Sequence, residues 1–326
     1  MNHTPIRVGI TMGDPSGIGP ETIPAALRTC GVIAEFCVIG DRRIFEKAGG
    51  GVPRAKNISF EDLRNVPIRG FAFGRVRRAY GKASLEYLDR ALEMLESGMI
   101  DSLVTCSVSK ESAGMGSPGF SGQTEYLAQY SGTREYAMML LNRSMRITLA
   151  TRHIPLQAVP ERLTTQALST AVTLTHASLK QLFAIPRPRL VACGLNPHAS
   201  DNGLIGKEEN RLIKPFFARL GKKGIRIDGP LSADVAFSKA FHGEYDAVIA
   251  MYHDQALIPL KLSGNETGVN MTLGLPFIRT SPLHGTAFDI AGKGLASADS
   301  LIAAIRLAAA CSRNRQRDAG RPARRG

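Results

Sequence analysis

The sequence predicts an α/β protein of two lobes flanking a shared crevice, on three observations. Short β-rich runs alternate with longer amphipathic helical stretches, the pattern of strands covered by helices. The chain has 326 residues, more than one hydrophobic core usually organises. Its chemistry-bearing residues, a glycine cluster and three histidines, fall just past expected strands, where open α/β sheets bind ligands.

In chain order, strands are expected at 6–12, 35–39, 102–106, 145–150, 189–193 and 246–251, and helices at 20–29, 84–97, 164–182, 208–219 and 297–310. The first helix carries Pro20 at its start and Glu21 in its first turn. Both suit that end, because proline has no N–H to leave unpaired and a carboxylate faces the positive end of the helix dipole. The last helix gathers Leu301, Ile302 and Ile305 on one face, with Ser297 or Asp299 as its cap. No repeat or low-complexity linker divides the chain, so its lobes must be joined by crossings of ordinary sequence. The expected division gives 1–130 plus 268–310 to a first lobe, 131–267 to a second, and 311–326 to a basic, disordered tail.

Composition narrows the function. An apolar fraction of 44% with 21% charged residues excludes a disordered chain. No apolar run approaches the roughly 20 residues that span a bilayer, and residues 1–10 lack the apolar core of a signal peptide. A cytoplasmic protein without a membrane partner is expected. Cys30, Cys37, Cys106, Cys193 and Cys311 are odd in number and not closely paired, which reads as buried thiols. The formal net charge is +13, but Arg313, Arg315, Arg317, Arg321, Arg324 and Arg325 crowd the C-terminal end against Asp318 alone. Such a run is a solvated tail rather than a nucleic-acid face, and the absence of Trp argues against base stacking. The remaining positive charge suits a small anionic substrate.

Three stretches carry chemistry. Gly13-Asp14-Pro15-Ser16-Gly17-Ile18-Gly19-Pro20-Glu21 joins a strand to a helix. Its glycines let backbone approach a ligand and leave amides free at a helix N-terminus, although the spacing is not the dinucleotide fingerprint. From spacing alone, a tight turn and a ligand site both remain open. His153, His198 and His253 each follow a strand. Three imidazoles with an open position describe a catalytic divalent-metal site, zinc first, and three separate structural histidines are the other reading. The run from Tyr252 to Gly294 spaces Lys261, Asn270 and Arg279 through apolar, Gly- and Pro-punctuated segments. Lys and Arg flanking a pocket would hold a phosphate or carboxylate.

GDPSGIGPE, NPH, YHDQ, VNMTLGLPFIRTS and HGTAFDIAGKG together resemble the 4-hydroxythreonine-4-phosphate dehydrogenase (PdxA) family, over about residues 6–310. The resemblance implies the two-lobed isopropylmalate/isocitrate dehydrogenase-like fold, with the active site in the interdomain cleft and shared between the subunits of a homodimer. It implies metal ligands at His153, His198 and His253, and substrate contacts at Gln123, Thr124, Lys261, Asn270 and Arg279. Asp234 and Asp254 match family acidic residues near the metal, and Lys110 is a candidate for proton transfer. Asn196, His284, Gly285, Thr286 and Asp289 fall where the family binds NAD or NADP. The implied reaction oxidises a hydroxyl β to a carboxylate and then loses carbon dioxide. The metal is expected to be zinc, with magnesium, manganese or cobalt as alternatives.

Two segments depart from the family pattern. Gly122-Gln123-Thr124-Glu125 stands where the family has GHTE, and Thr105-Cys106-Ser107-Val108-Ser109-Lys110 where it has TGPVxK. A carboxamide in place of imidazole removes a potential cation and keeps hydrogen bonding. Altered substrate fit with retained chemistry is the reading. Terephthalate cis-dihydrodiol and phosphorylated sugar acids stand beside phosphohydroxythreonine as substrates, and a non-catalytic ligand binder is the further alternative.

Overall fold

The structure is a computed structural model and describes residues 5–222 and 224–319. The chain begins with β1 (Arg7–Thr11), α1 (Gly19–Thr29), β2 (Glu35–Gly40), α2 (Arg42–Lys47), β3 (Ile58–Asp62), α3 (Arg78–Glu96), β4 (Ser102–Thr105), α4 (Lys110–Gly116) and α5 (Gln123–Tyr130). Next come β5 (Ala137–Leu141), β6 (Arg146–Leu149), α6 (Val159–Arg162), α7 (Thr165–Gln181), β7 (Leu190–Cys193) and α8 (Lys214–Lys222). They are followed by β8 (Ile227–Leu231), α9 (Ala233–Phe241), β9 (Ala247–Ala250), α10 (His253–Leu262) and β10 (Val269–Leu273). Then β11 (Ile278–Pro282) and α11 (Asp299–Ala319) complete the described elements. The expected α/β class is what folds.

These elements form two compact units, Met1–Arg134 with Leu275–Gly326, and Glu135–Gly274. The chain returns to the first unit at Leu275 rather than at 268, because β10 completes the second unit's sheet. The tail expected over 311–326 needs correction as well. Helix α11 continues to Ala319, and Ser312 and Cys311 are buried along it. Arg321, Arg324 and Arg325 lie outside the described residues.

In the first unit the strand order is β3-β2-β1-β4-β11, and every adjacent pair is parallel. Strands covered on both faces read as near-continuous apolar runs, as Val8 and Ile10, Phe36 and Val38, and Leu103 and Val104 do here. The chain passes from β1 to β2 on one side and β4 lies on the other, so the β1/β4 boundary is a topological switch point. Ligand crevices form beyond the carboxyl ends of strands at such points.

Helix α3 lies hard against α4. A Cβ built on Gly81 would sit 1.9 Å from the Ser112 carbonyl oxygen. Alanine gains about 1 kcal/mol of helix propensity over glycine, but overlap with backbone cannot be relieved by a rotamer change. Gly81→Ala is expected to destabilise the protein by on the order of 3 kcal/mol, read as a lowered thermal unfolding midpoint.

In the second unit the order is β10-β5-β6-β9-β7-β8. The β10–β5 and β5–β6 pairs are antiparallel, and β6–β9, β9–β7 and β7–β8 are parallel. Leu168, Val172 and Leu179 of α7, Phe216 and Phe217 of α8, and Ile249 of β9 form its core. The carboxyl ends of β6, β9 and β7 consequently lie side by side. All five cysteines are buried and none is in a disulfide. Among the described residues, no helix is long and apolar enough to cross a membrane.

Candidate active site

At the first unit's switch point, the glycine-rich loop packs rather than cradles. Asp14 N–H donates to Ser107 O at 2.9 Å, Gly17 N–H to Asp14 O at 2.9 Å and Ile18 N–H to Thr286 O at 3.2 Å. Ser16 N–H donates to Asp14 Oδ1 at 2.9 Å. These amides, expected to be free for a ligand, are already paired. Gly13, at φ +73°, comes so near β4's exit that a Cβ would lie 2.5 Å from Ser107 O, and one on Gly19 would lie 2.0 Å from Met12 O. The glycines are needed for that close approach. Asp41, after β2, is likewise structural: its buried carboxylate caps α2 and accepts from Arg43 and Val66.

A polar cluster is built around a buried guanidinium between β4, β11 and α5. Arg279 on β11 is only 2% exposed. Its Nε and Nη2 donate to Thr105 Oγ1 at 3.1 and 2.8 Å, Nη1 to Thr124 Oγ1 at 3.5 Å and Nη2 to Gln123 Oε1 at 3.4 Å. Gln123 Nε2 donates to Cys106 O at 3.0 Å, so the amide is fixed with its oxygen toward the guanidinium. Burial lowers the Arg279 pKa to about 10, opposed by the nearby Glu125 carboxylate. Lys110 opens α4. A Cβ built on Gly122 lies 3.9 Å from Lys110 Nζ and 2.8 Å from Glu125 Oε2, which puts both charges at the start of α5. Gln123, Thr124, Arg279 and Lys110 are therefore brought together. Thr105 and Glu125 join them, and only the polar strand-end threonine and the acid ending GQTE could have signalled that.

The HGTAFDIAGKG segment folds beside this cluster. Ser107 Oγ donates to His284 O at 2.6 Å. His284 Nδ1 sits 3.0 Å from Gly285 O, Nε2 is buried with no hydrogen-bond partner, and burial lowers the ring's pKa. Thr286 is half-buried and Asp289 exposed. An imidazole nitrogen held dry and unpaired suits a bound group that completes it. Asn196, expected to join the cofactor residues, does not present its side chain. Nδ2 donates to Glu208 Oε2 at 2.8 Å and Glu209 Oε2 at 2.9 Å, and its N–H to Glu209 Oε1 at 2.8 Å. It anchors a turn on a fully buried carboxylate.

In the second unit, His153 follows β6 and His253 opens α10 after β9. Their ring centroids are 5.3 Å apart with planes inclined by 54°, a spacing at which two imidazoles can share one ion. His253 Nδ1 is 2.7 Å from Asp254 Oδ1. That contact fixes the ring and leaves Nε2 as the outward nitrogen. The third histidine departs from expectation. Among the described residues, no three His, Cys, Asp or Glu side chains have the geometry to hold a metal ion. His198 begins five successive non-glycine residues, to Asn202, with φ between 42° and 70°. This left-handed turn comes back so tightly that a Cβ on Gly194 would lie 2.8 Å from Ala199 Cα. Single residues of this kind cost about 1–2 kcal/mol each, so the run fixes His198 in a conformation its sequence does not advertise. Asp234, exposed in the first turn of α9, does not complete the pair either. Lys261 is exposed in the last turn of α10. Asn270 on β10 has a buried Oδ1 with no hydrogen-bond partner.

Against known proteins, a family model described as pyridoxal phosphate biosynthetic protein PdxA matches residues 33–308. The chain is 44% identical to the 4-hydroxythreonine-4-phosphate dehydrogenase of Desulfosudis oleivorans, covering 95% of this chain and 98% of that one. It resembles the crystal structure of the Klebsiella pneumoniae 4-hydroxythreonine-4-phosphate dehydrogenase with a TM-score of 0.85 at 34% identity, over 96% and 99% of the two chains. The terephthalate 1,2-cis-dihydrodiol dehydrogenase of Burkholderia xenovorans gives 0.66 at 29% identity, over 94% and 98%.

Proposed function

The chain belongs to the PdxA family, an oxidoreductase family acting on CH–OH groups, and on that premise we propose that it oxidises 4-phosphohydroxy-L-threonine or a closely related anionic hydroxy acid and then decarboxylates it. The observation that carries this reading is Arg279. A guanidinium almost wholly withdrawn from water and oriented by Thr105, Thr124 and Gln123 is built for a planar or tetrahedral anion.

In this reading the substrate's anionic group docks on Arg279, and Gln123 keeps the guanidinium in register through its own bond to Cys106 O. Lys110 holds and moves the proton of the reacting hydroxyl. Asp254 accepts from His253 Nδ1–H, keeping the Nε2 lone pair available. His284, Gly285, Thr286 and Asp289 receive the nicotinamide cofactor, NAD or NADP, with His284 Nε2 as the nitrogen a ligand would satisfy. A nicotinamide would take hydride from the carbinol carbon, and a divalent ion on the histidines would acidify the hydroxyl and stabilise the charge left as carbon dioxide departs. His153 and His253 fit such an ion, zinc being favoured by nitrogen ligands over magnesium, with manganese or cobalt as alternatives. With His198 as the third ligand, this reading calls on a homodimer to bring it to the ion. The exposed Ile258 and Leu262, at 61% and 85%, lie on the helix that carries His253 and Lys261, and are surface a second copy would cover.

One observation favours a second substrate, the terephthalate dihydrodiol. Gln123 leaves Arg279 and Lys110 as the nearby cations for the anion, which suits a carboxylate as well as a phosphate. NADH absorbance measured in parallel with both substrates separates the readings. Turnover of phosphohydroxythreonine is expected; turnover of the dihydrodiol alone would transfer the assignment, and binding without turnover of either would leave a non-catalytic homologue. Gln123→His is expected to lower the KM for the phosphorylated substrate several-fold, and an unchanged KM would remove Gln123 as a determinant of fit.

A further inference from the structure

The hydroxyl of Tyr126 and the carboxylate of Asp89 make a contact for which the roles above have no use. Tyr126 lies on α5, one helical turn after Gln123 and Thr124, and its O–H donates to Asp89 Oδ1 on α3. Both residues are half-buried. Below the hydroxyl, the Tyr126 ring meets that of Phe120 at 5.9 Å between centroids. The two rings and Val108 pack against Leu85 and Leu88 of α3 and Ala113 of α4. Tyr126 is thus held twice, by apolar contact of its ring and by a directional bond from its hydroxyl. Burial raises the Asp89 carboxyl above its usual 3.8, the bond from Tyr126 opposes that rise, and Glu86 and Glu93 on the same helix add to it. A carboxyl raised in this way binds its proton more readily folded than unfolded. It therefore withdraws stability as pH climbs through 3.8 and goes on costing stability at neutral pH. Tyr126 is held above the ordinary phenol value, by burial first and by Asp89 next, and so remains the donor.

Packing alone does not need that pair, because a phenylalanine ring would fill the same space. What the hydroxyl adds is register. Apolar contact is non-directional, whereas an O–H···O bond fixes both distance and direction. Gln123 and Thr124 depend on such a fix. Their contacts with Arg279, at 3.4 and 3.5 Å, stand at the outer limit of hydrogen bonding, and a shift of about 0.5 Å would end both. Thr105 on β4 would still hold one edge of the guanidinium, but α5 would no longer set its orientation. We propose that Tyr126 and Asp89 latch α5 to α3 and are positioning residues for the anion site, holding Gln123 and Thr124 where they orient Arg279. This rests on Arg279 receiving the substrate's anionic group, and the two can fail separately.

Tyr126→Phe distinguishes positioning from packing. It removes the hydroxyl and leaves the ring on Phe120 and Val108, so α4 and its Lys110 keep their support. In the full-length protein, the KM for the anionic substrate is expected to rise about fivefold, with kcat and the KM of the dinucleotide within about twofold. Asp89→Leu should reproduce that rise and Asp89→Asn should not, because an amide oxygen still accepts from the tyrosine. Added to Gln123→Leu and Thr124→Val together, Tyr126→Phe should raise KM no further, since contacts already removed cannot be misplaced. A KM within about twofold of wild type, a fall in kcat in place of the rise in KM, an Asp89→Asn variant as impaired as Asp89→Leu, or effects that multiply in the combined variant would overturn the proposal. A second readout needs no substrate: amide hydrogen exchange in the peptide spanning α5 should be faster by about threefold or more in Tyr126→Phe than in wild type. Equal exchange would sink the latch even if the wild type turned over neither substrate, an outcome that would count against the functional reading alone.

Discussion

Arg279→Met is expected to lower kcat/KM for the anionic substrate by roughly a thousandfold, about 4 kcal/mol, mainly through KM. The side chain is nearly sealed from water, and burial, opposed by the Glu125 carboxylate, lowers its pKa to about 10. That penalty on the charged form is present at every pH below about 10 and is relieved only above it, so in the free protein the cation is a net cost to stability at neutral pH. An apolar residue of similar length should leave the thermal midpoint unchanged or raised, as when buried ionic groups elsewhere are replaced by well-packed apolar ones. Loss of activity with no loss of stability would mark Arg279 as a binding residue. Arg279→Lys should fall between the two, because it keeps the charge but not the fork that meets Thr105, Thr124 and Gln123 together. Steady-state kinetics with calorimetry check both, and a kcat/KM within a few-fold of wild type would remove Arg279 from the site.

What could be read from the sequence follows from which forces act locally. Strands β1, β4, β6, β7 and β9 are short apolar runs at the expected places, because a strand covered on both faces needs little more than β-compatible apolar residues. Their exits gave the histidines and the glycine loop. Strands β10 and β11, VNMTL and IRTSP, were hidden in a segment whose Gly and Pro punctuation and polar residues suggest a binding loop, and only pairing to β5 and β4 makes them strands. Helices α4 and α5 are short, and KESAGMG owes its packing to the glycine at 81, nearly thirty residues earlier, rather than to a periodic face. Asn196 looked like a ligand-facing polar residue because its partners, Glu208 and Glu209, are a dozen residues on. His198 was placed past its strand, but its conformation was not legible, since a left-handed run leaves no trace in residue type when no glycine enters before Gly203.

Alanine at His153 or His253 is expected to abolish bound divalent metal and activity together, with kcat lowered by about a thousandfold or more. The two rings are brought together within one chain, whereas no group of three donors is found among its described residues. Removing either leaves one nitrogen of the pair, and a single imidazole of the pair does not retain a divalent ion at full affinity. Asp254→Asn should be graded rather than absolute, because the Asp254 carboxylate orients His253 instead of bearing the ion. A metal affinity weaker by about 10–100-fold is expected there, with activity restored by excess metal. Elemental analysis of the purified variants, with activity before and after chelation and metal return, tests the whole order. His198→Ala is the decisive member of the set. If its metal is lost in step with dimer-dependent activity, the third nitrogen arrives on assembly and the left-handed turn is the scaffold that delivers it. If its metal content equals wild type, the ion rests on the His153–His253 pair with substrate oxygens, and His198 belongs to the turn alone.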